Sequence, residues 1–417
     1  MISLYFYGTR NNISLNAKSI RTEYNWVGTL DYIPTFCFQV YFIGLFIGSF
    51  IGGILSDKYG RKFVFFWATV GQFLSCIFSG WLTLDTWPAT TYAMWMLLNG
   101  CFGLINLMVP FVLTAEIVSK EHRAVNGYIS ATGFPIGAMM LAPCVYFLAD
   151  WRKLAIISGL AFLPFLYPFW FYVLESPRFL LKTGKPKAAF EIIKKIAKEN
   201  GRKFNFTEAD TALIEIGYEK PRYSKFLTKT IFKNFSILTI CWIAINIPYY
   251  CLQISIIELP GNLYNNIFIL GFIMFVSQPI GYLITNLFSR RLCASLMFSL
   301  VSLVILLLLF NSKNKVASPE GLDWRQQFLH HVLQLPLNAV YSVVYLMLAE
   351  IFPTEIRSSA MSTAATIARL APIPALMLSE MLRTEATMVY QILLCISIVP
   401  IISVWFLPET KKVELDK

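Results

Sequence analysis

The chain has 417 residues, of which 56% are hydrophobic, 16% aromatic and only 14% charged, and its formal net charge is +11. Apolar runs of about 20 residues, the length that crosses a bilayer core, recur along it and exclude a chain of ordinary soluble domains. The basic excess does not point to nucleic acid as a partner, because Lys and Arg stand between the apolar runs, where membrane topology needs them.

Residues 1–31 contain no run long enough to span, and no basic n-region or small-residue cleavage site marks a signal peptide. Asn12-Ile13-Ser14 in this segment is a glycosylation sequon. Eleven apolar stretches follow, at 33–54, 63–83, 91–113, 125–148, 154–174, 235–256, 264–286, 292–310, 326–348, 359–382 and 387–407. They are continuously apolar and not alternating, which predicts an all-α polytopic membrane protein and not a β-barrel.

Segment 176–230 separates five spans from six and carries thirteen Lys/Arg against six Asp/Glu. The positive-inside bias therefore places it, and the C-terminus, in the cytoplasm, and leaves the N-terminus and Asn12 outside. Within it, "PKAAFEIIKKIAKENG" (186–201) predicts a surface helix. Pro186 suits its first turn, Asn200-Gly201 its end, and Ala189, Ile192, Ile193 and Ile196 one apolar stripe. The expected organisation is an extracellular segment (1–31), a half-bundle (32–175), a cytoplasmic loop (176–230), a second half-bundle (231–410) and a tail (411–417).

The two halves repeat one another. "AEIVSKEHR" (115–123) returns as "AEIFPTEIR" (349–357), "GILSDKYGRK" (53–62) has its counterpart in "NLFSRR" (286–291), and "LESPR" (174–178) matches "LPETK" (407–411) at a near-constant offset. Such repeats build transporters whose substrate path runs between halves. Glu116 and Glu350 end spans and Arg123 and Arg357 begin the next ones, so that duplicated Glu–Arg pairs at the cytoplasmic surface can form and break as a gate. Gly44, Gly48 and Gly52 stand four apart, a spacing that lets helix backbones approach, and Gly133 and Gly137 repeat it once. Arg369 is the one Lys or Arg placed well inside a span, where a charge is costly and should face a cavity or a partner.

With these residues in place, the chain resembles the organic cation/anion/zwitterion transporters of the major facilitator superfamily. "GILSDKYGRK" looks like the superfamily loop signature. "TEYNWV" (22–27), "DWR" (150–152), "ESPRFLL" (175–181), "GNLYNN" (261–266) and "AEIFPTEIR" resemble family motifs in order along the chain. The resemblance implies a two-half bundle of twelve spans, alternating access and small organic ions as substrates. It implies a cytoplasmic gate of Asp57, Gly60, Arg61, Glu116, Arg123, Glu175, Arg178, Glu350 and Arg357. In spans matching the family's cavity it points to Trp242, Tyr249, Tyr250, Asn106, Gln334 and Tyr345 as substrate contacts beside Arg369, aromatic faces being suited to organic cations or planar molecules. Family members with Arg at the position of Arg369 tend to carry anions or zwitterions.

The chain departs from the family in lacking its first span and most of the loop after it, which suggests a truncated gene model, an alternative isoform or a degenerate paralogue. It has Ser277 and Gln278 where an acid tends to precede the proline of the eighth span, and Asn286 and Ser289 where the second-half loop would have Asp and Gly. The expected function is a secondary transporter of small organic anions or zwitterions. The alternatives are a sugar-porter-like carrier and a non-transporting regulatory membrane protein. No nucleophile–base set, phosphate loop or metal-ligand spacing points to an enzyme, a cofactor or a metal. The expected setting is the bilayer of the plasma membrane, as a monomer, with a small organic ion as the other partner.

Overall fold

A computed structural model of the chain describes residues 18–118, 123–201, 228–256, 259, 262–313, 324–352, 354–382 and 384–410. Among these, regular structure is helical apart from one isolated bridge between Lys18 and Asp150. A spanning helix satisfies its own backbone polar groups, which lipid cannot do. The sequon at Asn12 lies outside the described residues.

In chain order the helices are α1 (Ile20–Glu23), α2 (Ile33–Tyr59), α3 (Arg61–Trp81), α4 (Pro88–Ile117), α5 (Arg123–Leu148), α6 (Trp151–Leu160), α7 (Leu163–Tyr172), α8 (Pro177–Lys182) and α9 (Pro186–Glu199). They continue as α10 (Lys229–Ser255), α11 (Leu263–Leu287), α12 (Arg290–Lys313), α13 (Trp324–Ile351), α14 (Thr354–Ala368), α15 (Pro372–Met381) and α16 (Ala386–Ser403). Every apolar run expected to span falls on this helical framework. Nine helical stretches among the described residues are long and apolar enough to cross a membrane.

The remaining two runs show why the counts differ. In α5 the apolar part, Thr132–Leu148, is shorter. The run expected at 359–382 is broken between α14 and α15 by a turn at Arg369–Ala371. Pro372 opens α15; it has no N–H, and its ring would clash with the carbonyl four residues earlier in a continuous helix. Leu370 and Ala371 instead bond three residues back, to Ile367 (3.1 Å) and Ala368 (3.2 Å), which tightens the last turn of α14. The one Lys or Arg of the span, Arg369, thus sits where the helix is interrupted.

The chain falls into two compact units, one of residues 43–130 and 155–222, the other of residues 1–42, 131–154 and 223–417. In the first, α3 packs along α4 over Val64, Ala68, Ile105 and Val109. A Cβ at Gly44 or Gly48 would strike the backbone of Leu97 or Cys101, and one at Gly52 the side chain of Ile105. The glycine stripe therefore brings α2 and α4 backbone to backbone, as its spacing predicts. Gly133 and Gly137 do not follow it: a Cβ at either would meet nothing within 4 Å, so these glycines serve no close approach.

In the second unit α10 packs against α13, α14, α15 and α16, with Leu238, Trp242, Ile245 and Leu252 fully buried. The chain before α2 is clasped onto the corner between α5 and α6. Lys18 N–H donates to the Ala149 carbonyl (2.8 Å), and Trp151 N–H to the Lys18 carbonyl (3.0 Å). Ser19 caps α1 through a reciprocal pair with Thr22. Glu23 accepts from the Trp151 indole (2.5 Å) and from Arg152 Nε (3.1 Å), and pairs with Lys18 (3.1 Å). Arg152 also reaches the Tyr24 hydroxyl (2.6 Å), and Arg21 pairs with Asp31. "TEYNWV" and "DWR", distant in sequence, are the two halves of this clasp.

Candidate functional site

The loop between α2 and α3 must reverse the chain in one residue, and Gly60 does so at φ +103°, in the left-handed region open to glycine. A Cβ there would run into the Glu175 carboxylate. That carboxylate caps α3, accepting from the backbone N–H of Arg61 (3.0 Å) and Lys62 (3.2 Å), where the helix dipole favours an anion. Arg61, 7% exposed, bonds Asp57 Oδ1 (2.9 Å) and Glu116 Oε1 (3.2 Å) and donates to the Ser56 carbonyl (3.1 Å). Its guanidinium lies 4.9 Å from the centre of the Phe179 ring. Asp57, Gly60, Arg61, Glu116 and Glu175 are thus one network. Arg178 is exposed on α8. Arg123 begins α5, but its side chain lies outside the described residues.

The same arrangement recurs in the other unit. Arg290 bonds Glu350 with two nitrogens, Nε (3.2 Å) and Nη2 (3.1 Å), a fork geometry that adds strength and direction. Glu409 caps α12, accepting from the N–H of Arg290 (2.9 Å) and Arg291 (3.3 Å). Thr410 donates to Glu350 (2.5 Å), and Arg290 Nη1 donates to the Thr285 carbonyl. Arg290 and Glu409 therefore stand in the second network where Arg61 and Glu175 stand in the first. Neither was in the expected gate set, although the repeated "SRR" and "LPETK" marked both. Glu350 was expected to pair with Arg357, whose side chain lies outside the described residues.

Of the expected substrate residues of the second unit, Arg369, Tyr249, Tyr250, Trp242 and Tyr345 are linked by contacts that run through Tyr341. Arg369 Nη1 donates to the Tyr250 hydroxyl at 3.4 Å, and Tyr341 and Tyr41 lie within its electrostatic reach. The Tyr250 ring is packed edge-on by Tyr249 and by Phe42, each with ring centres 5.1 Å away. Trp242 lies 6.0 Å from Tyr341 and 6.1 Å from Tyr345. Among the described residues no carboxylate pairs with Arg369; the pairs formed are those of Lys18, Arg21, Arg61, Arg152 and Arg290. Trp242 and Gln334 are both 2% exposed, and Trp242 Nε1 and Gln334 Oε1 have no hydrogen-bond partner.

Asn106 is elsewhere. It belongs to the other unit, where it accepts from Thr69 (3.1 Å) and donates to the Ala68 carbonyl (3.2 Å), joining α3 to α4. Sequence reasoning missed Tyr41 and Phe42 on α2; the aromatic run "FCFQVYF" was the signal available.

The model of the family described as sugar (and other) transporter matches residues 4–417. The chain is 28% identical over 375 residues to organic cation/carnitine transporter 2 of Rattus norvegicus, covering 88% of this chain and 65% of that protein. It is 27% identical over 375 residues to the organic cation transporter protein of Drosophila melanogaster, with 85% and 65% covered. To solute carrier family 22 member 6-B of Xenopus laevis it is 25% identical over 416 residues, with 96% and 72% covered. The chain thus spans about two thirds of the length of these curated relatives. Among solved structures, the xylose transporter XylE from E. coli superposes with a TM-score of 0.72 at 19% identity, over 100% of this chain and 96% of that one, a likeness of fold.

Proposed function

We propose, for a chain that belongs to the sugar (and other) transporter family of the major facilitator superfamily, that it carries small organic anions or carboxylate-bearing zwitterions by alternating access. The observation that carries this reading is Arg369, set among tyrosines and, among the described residues, paired with no carboxylate. A guanidinium remains charged across physiological pH and binds a carboxylate with two parallel hydrogen bonds. In surroundings less polarisable than water it repels a simple cation. Trp242 Nε1 and Gln334 Oε1 add a donor and an acceptor that need partners once buried. The tyrosine and tryptophan faces can hold an ammonium or a planar group. One relative is named as a transporter of organic cations and of carnitine, and carnitine is a zwitterion with a carboxylate.

The two Arg–Glu networks are read as gates on the cytoplasmic side, holding helix ends together in one part of the cycle and releasing them in another. Their recurrence supports the duplicated half-bundles expected from sequence, and plasma-membrane placement follows from the same reading. Uptake of labelled organic anions, zwitterions, a permanent cation and xylose by the purified chain in proteoliposomes tests it. Saturable uptake of a carboxylate substrate, lost in Arg369→Ala, is the expected result.

A further inference from the structure

The polar rim around α3, α7 and α9 is not accounted for by transport. Lys62, at the start of α3, donates to the Trp170 carbonyl (2.7 Å), and its ammonium lies 5.3 Å from the centre of the Trp170 ring. Trp170, Phe63, Trp67 and Tyr172 are all exposed in this region. Tryptophan and tyrosine collect at the boundary between hydrocarbon and headgroups, so Lys62 stands at headgroup level.

Lys195, on α9, lies within electrostatic reach of Lys62. The nearest acid acting on Lys62 is Glu175, whose oxygens already accept from three backbone N–H groups, those of Arg61, Lys62 and Ser176. Lys187, Lys194 and Lys198 are exposed along α9 with Lys195, against the exposed acids Glu191 and Glu199. Among the described residues none of these lysines takes part in an ion pair. The apolar side of α9 is used up: Ala189 is fully buried, and the helix packs on α8.

We propose that Lys62 and Lys195, with Lys194 and Lys198 beside them, form a binding site for the headgroup of an anionic phospholipid, the Trp170 indole lying against its glycerol and upper acyl region. A phosphodiester beside the Lys62 ammonium and the exposed lysines of α9 makes charge-assisted contacts that offset their like charge. Basic clusters directly beside a spanning helix attract anionic lipid in this way. A soluble protein has no reason to arrange exposed Trp and Tyr beside such a cluster, whereas a membrane protein meets lipid headgroups at this level.

The test uses the purified full chain in nanodiscs of phosphatidylcholine with a minority of phosphatidylserine, and native mass spectrometry to count the lipids retained on release. Phosphatidylserine is expected to be enriched on the parent chain. Neutralising Lys62→Gln and Lys195→Gln should lower its retention about fivefold for each lysine, while Lys62→Arg with Lys195→Arg should keep it. Lys153→Gln, which lies in the other unit, should leave it unchanged. Equal retention by the parent and the double Gln variant, or loss in the Arg variant as large as in the Gln variant, would overturn the site. The readout does not involve transport, so it stands or falls apart from the substrate reading.

Discussion

Arg61 and Arg369 are both cationic side chains withdrawn from water, and their partners set them apart. Arg61 is held by Asp57 and Glu116, Arg369 by the Tyr250 hydroxyl. Removing Arg61 leaves Glu116, 19% exposed, without its cation, so Arg61→Ala should cost about 3–5 kcal/mol of stability. Asp57 is 62% exposed, and Asp57→Ala should cost about 1 kcal/mol or less. Thermal unfolding of the two variants in detergent checks this order. Uptake by Asp57→Ala should still fall, because its bond to Arg61 belongs to the proposed gate. At the other site Tyr250→Phe removes the hydroxyl that orients Arg369. Its KM for a carboxylate substrate should rise about tenfold, the lower end for a hydrogen bond to a charge, as measured by initial-rate uptake. Glu116 and Glu350 were legible from their repeated setting, and Arg61 from the loop signature, whereas Arg290 was not in the expected set. In the structure each Glu bonds an Arg at the start of an earlier helix. Such pairing depends on which helices are neighbours, and no local pattern records that.

Among the elements, α14 and α15 show where periodicity misleads. A continuous apolar run predicts one span, but Pro372 and the turn before it divide the run and set Arg369 at the break. The prolines were visible, but a proline in an apolar run can kink a helix or end it, and local sequence does not separate the two; in the structure α14 and α15 both pack on α10. The clasp before α2 was legible only as two motifs without a role. Its chemistry turns on Glu23, whose burial alone would raise its pKa, while the Trp151 indole, Lys18 and Arg152 outweigh burial and hold the carboxyl below the ordinary value of 4.5. A carboxyl depressed in the folded state stabilises the fold above its unfolded pKa, and that contribution is lost as the pH falls through the folded value. The clasp is therefore constant at neutral pH and weakens only below about pH 4.5. Melting temperatures taken across that range should fall on acidification, and Glu23→Gln should lower the neutral-pH value while flattening this part of the decline. An equally steep decline in the Gln variant would place the acid sensitivity elsewhere.

For the molecule as a whole, composition, the basic middle segment and the repeated landmarks were enough to reach a helical membrane protein of two duplicated halves, because hydrophobic length and repetition can be read from the sequence, while the major facilitator type came from the resemblance of its loop signature and motifs. The Arg61 and Arg290 networks now show the same chemistry twice: a guanidinium on a helix-end Glu, and a second Glu capping the helix that the Arg begins. The cluster around Arg369 was legible in part. Trp242, Tyr249, Tyr250 and Tyr345 belong to it, Asn106 joins α3 to α4, and Tyr41 entered only through contacts within the second unit. The central claim, a carrier that anchors a carboxylate on Arg369, is tested most directly by competition in proteoliposomes containing the purified chain. Uptake of a labelled carboxylate-bearing zwitterion should saturate, be competed by organic anions, and vanish in Arg369→Ala and Arg369→Asp. Robust saturable uptake of a permanent cation, uncompeted by any carboxylate and unchanged in Arg369→Ala, would contradict it.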